Sequence, residues 1–516
     1  MNRARMPTAP VKFTAFCFAS CVLVLLAPPL RAATAPFGFD DVARRAEELA
    51  AKPFQPAGTK LPKELASLSY DAYRDIRFRP DASLWRDRKL PFEAQFFAMG
   101  LFYDQPVRMN EIADGVARRI TFDPAWFNTG KNVVPPTAWQ GLDFAGFRAH
   151  YPLNTQKYKD EVIAFLGASY FRAVGRDQRY GASVRGLAVD TALASGEEFP
   201  RFTEFWLERP AANAREFVVF ALLDSRRVSG AYRFVIRPGA ETVVDVRARL
   251  FLREHVAKLG IAPLTSMFFF GENQRPTHDD YRPEVHDSDG LLIQSGTGEW
   301  IWRPLVNPRR LLVTSFALVN PSGFGLMQRD RDFGHYQDLE AHYEMRPSIW
   351  VEPRGNWGAG RVELVLIPTP DETNDNVVAY WVPDAAVKPR QPFDVEYRLR
   401  FQRDPETFPP QSWPVASRRG HGYTRGSDGT IGFVVDFDGP ALRKLGPTAV
   451  IEAVVSAMGN AEIVENIVMR NEVTGGVRVR LRIKRLDDKQ PVDLRAFLRM
   501  DNATLSATWS YILPPS

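Results

Sequence analysis

The feature that most limits what this chain can fold into is its punctuation. Short runs of alternating apolar and polar residues are broken throughout by 40 prolines and 35 glycines. Alternation places apolar side chains on one face of a strand, and frequent turn residues keep such strands short. Val477-Arg478-Val479-Arg480-Leu481-Arg482-Ile483-Lys484 is the clearest case, with aliphatics on one face and cations on the other. That cationic face reads as the solvated side of an ordinary strand, not as an anion site. The pattern predicts an all-β protein with few helices. One helix is expected from Phe39 to Lys52, with Asp40 or Asp41 as N-cap and Val42, Ala46 and Leu49 on one stripe. Residues 61–75 and 157–166 are expected to form two others. No internal repeat of solenoid or propeller period is visible.

The first 35 residues have a different character. Arg3, Arg5 and Lys12 precede an apolar run from Phe13 to Leu26, Pro28 and Pro29 break it, and Ala32, Ala33 and Ala35 follow. This is the layout of a secretory signal peptide, expected over residues 1–35 and cut near Ala32 to Ala35. The run is too short for a lasting transmembrane helix. Cys21 sits inside it rather than at its end, which speaks against lipidation. Ala4 separates Arg3 from Arg5, so the twin-arginine export pattern is absent. Both cysteines, Cys17 and Cys21, fall in this segment, so the mature chain has no disulfide, thiolate metal site or cysteine nucleophile. The segment also holds four basic residues and no acidic one. Its removal leaves 62 basic against 61 acidic residues from the original 66 and 61, a net charge near +1. The basic balance therefore belongs mostly to the export signal, and nucleic acid is not an expected partner.

The remaining chain is long enough for two or more domains. The proline-rich, weakly periodic stretch from Pro383 to Pro392 is the best boundary. It predicts a β-sandwich over 36–383, a linker over 384–392, and a second domain over 393–516 whose strands begin at Phe393. Strand number and length suit an immunoglobulin-like sandwich for the latter.

Chemistry concentrates between Phe270 and Trp381. Five of the eleven tryptophans (Trp300, Trp302, Trp350, Trp357 and Trp381) lie there, with two carboxylate clusters, Arg282 to Gly290 and Asp371 to Asn376. Flat apolar rings stack on the C–H faces of a pyranose, and paired carboxylates are what glycosidic bond cleavage requires. Generic motifs give little else. There is no phosphate loop and no G-x-S-x-G elbow. Asp287-Ser288-Asp289 matches the D-x-D of nucleotide-sugar transferases, but an exported protein meets little nucleotide sugar. The Asp371 cluster begins like a calcium loop, yet it lacks the glycine at the sixth position and has Val382 where the bidentate Glu would stand. The seven histidines lack H-x-x-x-H spacing, so neither a metal nor another cofactor is expected.

Six carboxylates compete for catalytic roles: Glu284, Asp287, Asp289, Asp371, Glu372 and Asp375. Asp375 sits among amides beside Val377 and Val378, where partial burial would raise its pKa. Asp287 has Arg282 and His286 nearby in sequence, which would help keep it charged. Each acid reads equally well as a turn former, and the residues alone leave the choice open. Trp300 and Trp302 alternate and would share one face of a strand, with Glu299, Ile301 and Arg303 on the other. Trp357, in Gly355-Asn356-Trp357-Gly358, suits an exposed turn. A lone tryptophan in a β-sandwich is more often core than platform. Trp300, Trp302, Arg303, Tyr343, Arg346, Trp350, Trp357 and Trp381 are the substrate-binding candidates. Arg329, Asp330, Arg331 and Asp332 read as a structural ion-pair cluster.

Longer stretches carry a family likeness. Phe165 to Ala173 (FLGASYFRA), Tyr180 to Gly186 (YGASVRG), Phe269 to Asn273 (FFGEN), Phe324 to Phe333 (FGLMQRDRDF) and both acid clusters resemble the periplasmic glucan biosynthesis protein G/D family. The likeness runs from about Phe37 to the C-terminus. It implies a periplasmic protein of osmoregulated glucan synthesis in Gram-negative bacteria. It also implies a large N-terminal β-sandwich like that of galactose mutarotase, followed by an immunoglobulin-like domain. Some members are anomer-inverting endo-hydrolases of linear β-1,2-glucan, and a related one is a transglycosylase that cyclises such chains. The lack of a twin-arginine signal resembles the G branch. By motif, the family's general acid falls on Asp375 within Thr373-Asn374-Asp375-Asn376. Its general base falls on Asp287 within His286-Asp287-Ser288-Asp289, acting on water through a relay of hydroxyls. The implied partners are glucan oligosaccharide or polysaccharide and a membrane glucan synthase. Two alternatives stand beside the hydrolase: a transglycosylase, and a protein that handles glucan for the synthase without cutting it. A mutarotase role would rest on fold analogy alone.

Overall fold

Alternating strands leave one apolar face each, and the chain covers those faces by stacking two long sheets. The computed structural model describes residues 9–12, 35–56, 61–420 and 428–515. The chain divides into two units, Met1–Pro36 and Phe37–Ser516. Of the first, residues 9–12 and 35–36 are described and carry no helix or strand. The expected apolar run and both cysteines lie outside the described residues. No helix among the described residues is long and apolar enough to cross a membrane.

In the second unit a ten-stranded sheet runs Glu93–Ala98, Phe144–Tyr151, Asp160–Leu166, Tyr170–Ala173, Ser183–Arg185, Leu259–Ser266, Val377–Pro383, Ala359–Leu366 and Leu312–Val319, with Ala188–Val189 off this path. A fifteen-stranded sheet faces it. Phenylalanines fill the space between, with ring centres 5.1 Å apart for Phe147 and Phe205 and 5.2 Å apart for Phe165 and Phe234. These edge-to-face contacts add to the burial of large apolar surfaces. The all-β expectation is borne out.

Helix Phe39–Ala50 lays Val42, Ala43 and Ala46 on Trp206, Phe220, Leu222 and Ala231, on the outer face of the larger sheet. Its cap differs from the expected one: Gly38 precedes the helix, and its N–H donates to Asp41 Oδ2 at 3.0 Å. The expected helix over 61–75 is two short ones, Lys63–Ala66 and Tyr70–Arg74. The expected helix over 157–166 is instead the strand Asp160–Leu166. It is hydrogen-bonded on both sides, so pairing decides the state of a short apolar run.

The expected boundary also moves. Strand Pro392–Gln402, read as the opening of the C-terminal domain, lies between Thr242–Leu252 and Ser348–Arg354 inside the fifteen-stranded sheet. Alternation announces a strand but not the sheet that receives it. The C-terminal layers begin only at Trp413–Gly420. That strand joins Thr430–Asp438, Val477–Arg485 and Ala461–Arg470 in a four-stranded sheet. Three further strands (Glu452–Met458, Val492–Met500 and Thr508–Leu513) cover it, with Phe433 of one layer 5.0 Å from Tyr511 of the other. Thr508–Leu513 also pairs in parallel with Trp300–Pro304, so the fifteen-stranded sheet runs unbroken from the N-terminal sandwich into the C-terminal layers.

Strand Val477–Arg485 behaves as its sequence predicts. Val477, Val479, Leu481 and Ile483 are buried, while Arg478 bonds Asp436 at 2.7 Å, Arg480 bonds Glu465 at 2.8 Å, and Arg482 pairs with Asp428. The two faces should therefore differ sharply in worth. Leu481→Ala is expected to lose about 2–5 kcal/mol of stability through the cavity it leaves. Arg480→Gln, which removes one partly exposed ion pair, should lose less than about 1 kcal/mol. Urea unfolding of the two variants makes the comparison, and equal losses would contradict this assignment of faces.

Candidate functional site

The site forms where the ten-stranded sheet gives way to a hairpin. Strand Leu259–Ser266 continues through Met267 into Phe268–Phe270, which pairs with Val285–His286. Asp287 follows at once, and its N–H donates to the Met267 carbonyl at 2.8 Å. On the other side Ser266 pairs with Val377, the first residue of strand Val377–Pro383. Just before it stands Asn376, 1 % exposed, whose side chain replaces a strand partner. Its Oδ1 accepts from the Phe268 N–H at 2.8 Å, and its Nδ2 donates to the carbonyls of Phe268 at 3.0 Å and Ile367 at 3.1 Å. Asp375 precedes Asn376. Asp287 is thus tethered to Met267 through its own N–H, and Asp375 is linked to Phe268 through the side chain of its neighbour Asn376.

Their surroundings differ. The Asp375 side chain is 29 % exposed, and its Oδ2 lies 3.7 Å from Arg172 Nη2. Water reaches it, yet protein packed around the rest of the carboxyl strips hydration from its charge and raises its pKa. The Arg172 guanidinium pulls the other way, and the negative charge of Asp287 adds to the rise. Arg172 is steadied by Ser183 Oγ, which accepts from Nε at 2.7 Å. Asp287 is buried and ion-paired with Arg346. Arg346 lies 4.2 Å over the Tyr343 ring, a cation–π contact. Its close approach depends on Gly181, where a Cβ would come within 2.8 Å of Arg346 Cβ.

The other four carboxylates are accounted for. Asp371 Oδ1 closes a turn by accepting from the Thr373 N–H at 2.9 Å and the Thr373 hydroxyl at 2.6 Å. Glu284 faces His286 Nε2 at 2.9 Å, while His286 Nδ1 faces Gln328 Oε1 at 2.8 Å. Gln328 Nε2 donates to two carbonyls, which assigns its Oε1 as acceptor and makes His286 a donor at that nitrogen. Burial disfavours the imidazolium, but the Glu284 bond and charge outweigh it and raise the His286 pKa. Asp289 is half-buried beside Arg329, and its Oδ2 accepts from the Asp330 N–H at 3.3 Å. Glu372 remains at the site's edge, where its Oε2 accepts from Arg282 Nη1 at 2.7 Å and from the Tyr343 hydroxyl at 3.1 Å. The sequence neighbours of Asp287 therefore do not serve it. Arg282 turns to Asp280, Asp338 and Glu372, His286 faces Glu284, and the partner is Arg346, 59 positions away.

A groove of about 820 Å³ lies among the N-terminal elements, lined by Tyr70, Tyr73, Phe97, Tyr103 and Arg148 among others. Arg172, 3.7 Å from Asp375, also acts electrostatically on Tyr103 of this groove. Arg148 bonds Glu161 at 2.9 Å, and Glu161 accepts from the Tyr180 hydroxyl at 3.0 Å. Aromatic faces with a rim of charged and hydroxyl groups are suited to a carbohydrate chain. Sequence reasoning assigned these residues no role. The available signal was the unusual segments Phe165 to Ala173 and Tyr180 to Gly186, which contain Arg172, Tyr180 and Gly181.

The tryptophan expectation is corrected. Trp300, Trp302, Trp350 and Trp381 are all buried. Trp300 stacks on Trp350 at 5.8 Å, and the guanidinium of Arg329 covers Trp302 at 3.4 Å. Arg303 is also buried and reaches Asp493 at 3.2 Å. Strand Trp300–Pro304 is covered on both faces, so the alternation that would have exposed one side has no solvent side to serve. Trp357 is half-buried, with its Nε1 donating to the Glu396 carbonyl at 3.2 Å. Of the eight substrate-binding candidates, Tyr343 and Arg346 come to the two aspartates. The Arg329–Asp332 segment does form ion pairs, with Arg331 on Glu406 and Asp330 on His335. Glu284, Asp330 and His335 are the one group among the described residues with metal-ligand atoms within 4.8 Å of one another. Those atoms already engage one another and His286 in hydrogen bonds.

Comparison with known proteins agrees with the motifs quoted above. Glucans biosynthesis protein G of Ralstonia nicotianae is 60 % identical over 497 residues, covering 95 % of this chain and 99 % of that one. The proteins of the same name from Serratia proteamaculans and Pectobacterium atrosepticum are 48 % and 49 % identical, covering 96 % and 93 % of this chain and the same shares of their own. The family described as "Periplasmic glucan biosynthesis protein, MdoG" matches residues 37–513, and the chain belongs to it.

Proposed function

We propose that this protein acts in the periplasm in glucan biosynthesis, as an anomer-inverting endo-hydrolase of linear β-1,2-glucan. The observation that carries the reading is the tethering of two carboxylates in opposite environments, Asp287 directly to Met267 and Asp375 through Asn376 to Phe268. Inversion needs one carboxyl that keeps its proton for the leaving oxygen and a second, ionised one that accepts a proton from water on the opposite face of the sugar. Asp375, whose carboxyl is part-exposed and whose pKa is raised by the protein packed around it, suits the acid. Asp287, buried in its ion pair with Arg346, suits the base, with the water's proton reaching it through hydroxyls. Tyr343, whose ring lies under Arg346 and whose hydroxyl donates to Glu372 Oε2 at 3.1 Å, borders this ion pair. The aromatic groove would hold the chain on the acid's side. Export by the N-terminal segment and hand-over of product to or from a membrane synthase complete the proposal.

Incubation of purified protein with linear β-1,2-glucan tests it directly, with products read by mass spectrometry. Shorter linear fragments are expected, and Asp375→Asn should lower kcat by about 10³-fold or more without weakening glucan binding. Cyclic or lengthened products would replace the hydrolase with a transglycosylase. No product above the Asp375→Asn background would leave a glucan-handling protein.

Asn376 serves as a positioning residue in this scheme. Asn376→Ala removes the three side-chain bonds beside Asp375 and keeps the backbone bond from the Ile367 N–H to the carbonyl of residue 376. It should lower kcat by about 10–100-fold with KM little changed, since small misplacements of a catalytic group carry large rate losses. A change confined to KM would contradict that role.

The pH dependence follows from the sign of each charge. The acid works protonated, so activity falls as pH rises through the Asp375 pKa. Arg172 holds that pKa down, and Arg172→Met should therefore move the alkaline limb of kcat/KM to higher pH. A limb that stays in place or moves to lower pH would argue against Asp375 as the titrating acid.

A further inference from the structure

A second cavity, of about 810 Å³, opens where the N-terminal sandwich meets the four-stranded C-terminal sheet. Arg275 and Arg309 reach it from N-terminal loops, and Arg419 and Arg485 from the C-terminal strands. No Asp or Glu lines it among the described residues. Many arginines of this chain meet acids instead, as Arg398 meets Asp245 and Arg478 meets Asp436. Arg485 is already engaged: it donates to the Pro514 carbonyl at 2.6 Å, and Asp488 lies near it. Arg275, Arg309 and Arg419 line the cavity and are exposed, and Arg419 also acts on the buried Tyr511 hydroxyl. Their common sign, in a concave space with low-dielectric walls, concentrates positive potential.

The walls are preformed. Asn307 exchanges two 2.7 Å bonds with Gln274, and it is bonded to Thr369 through Nδ2 at 3.0 Å and Oδ1 at 3.1 Å. Thr369 in turn donates to the Asp371 carbonyl at 2.7 Å, so this ladder ends at the loop that carries Glu372 and Asp375. Between the cations the surface is apolar, with Val306, Ile431 and Leu513 among prolines. Guanidinium groups bind phosphate and carboxylate in bidentate geometry, and an apolar floor suits the carbon skeleton that bears such a group.

We propose that this junction cavity binds an anionic group, phosphate or carboxylate, carried on a small carbon skeleton of sugar size. The site is separate from the two aspartates and does not depend on the hydrolase reading, because binding is measured without turnover. Gln274, Asn307 and Thr369 themselves line the cavity, which places a bound anion beside the base of the loop that carries Asp375.

Isothermal titration of the full chain at constant ionic strength tests this, with glucose 6-phosphate, inorganic phosphate and glucose as the three probes. Glucose 6-phosphate should bind saturably and glucose should not. The double variant Arg275→Ala, Arg309→Ala should weaken glucose 6-phosphate binding by about tenfold or more. Arg419→Ala provides an independent change from the other wall and should weaken it as well. Phosphate binding as tightly as glucose 6-phosphate would support the anion site and assign it to the free ion. Absence of saturable binding by either phosphate would overturn the proposal. So would binding that survives both the double variant and Arg419→Ala with unchanged circular dichroism.

Discussion

Met267 and Phe268 are consecutive residues, and each holds one aspartate of the site. The Met267 carbonyl takes the Asp287 N–H, and the Phe268 backbone is bonded on both its N–H and C=O by Asn376, the neighbour of Asp375. A backbone group buried without a partner is costly, so these bonds cannot be released cheaply. The rest of the arrangement follows from them. Strand Leu259–Ser266 delivers Met267 from the ten-stranded sheet, Val377–Pro383 delivers Asn376 from the next strand, and the hairpin with Val285–His286 delivers Asp287. Each aspartate thus stands in a loop position directly beside a strand end, His286 for Asp287 and Val377 two residues after Asp375, where rigid elements limit its movement.

Around that frame, charge is distributed unevenly. Asp287 is enclosed with Arg346, which in turn lies over Tyr343. Asp375 has the longer contact with Arg172 and a part-exposed side chain. Behind them, His286, Glu284 and Gln328 form a closed buried network that supports the hairpin without reaching the groove. The parallel seam between Trp300–Pro304 and Thr508–Leu513 carries one sheet across the junction, so the C-terminal layers are held in fixed relation to the N-terminal sandwich.

The strand class of the chain was legible because alternation needs no knowledge of partners. Val477–Arg485 has the same faces in sequence and in space. Partnering was not legible, and the misread elements fail for that reason. Asp160–Leu166 looked helical until its two neighbours were known, and Pro392–Gln402 looked like a new domain although it completes the old sheet. The tryptophans misled for a related reason: Trp300 and Trp302 lie on a strand covered on both faces, and sequence gives no count of covering layers. In the site, family motifs pointed to Asp287 and Asp375, while composition could not separate them from four other acids. Long-range electrostatic partners were beyond reach, since Arg346 and Arg172 meet their aspartates only through the fold.

The central claim is that two fixed carboxylates act on opposite faces of one sugar. The anomeric configuration of the first product tests it most directly. Proton NMR of linear β-1,2-glucan, recorded in the first minutes after enzyme is added, should show the new reducing ends appearing as the α anomer and then relaxing by mutarotation. New reducing ends that appear first as the β anomer would mean retention, and would contradict the assignment of Asp287 as a base acting on water.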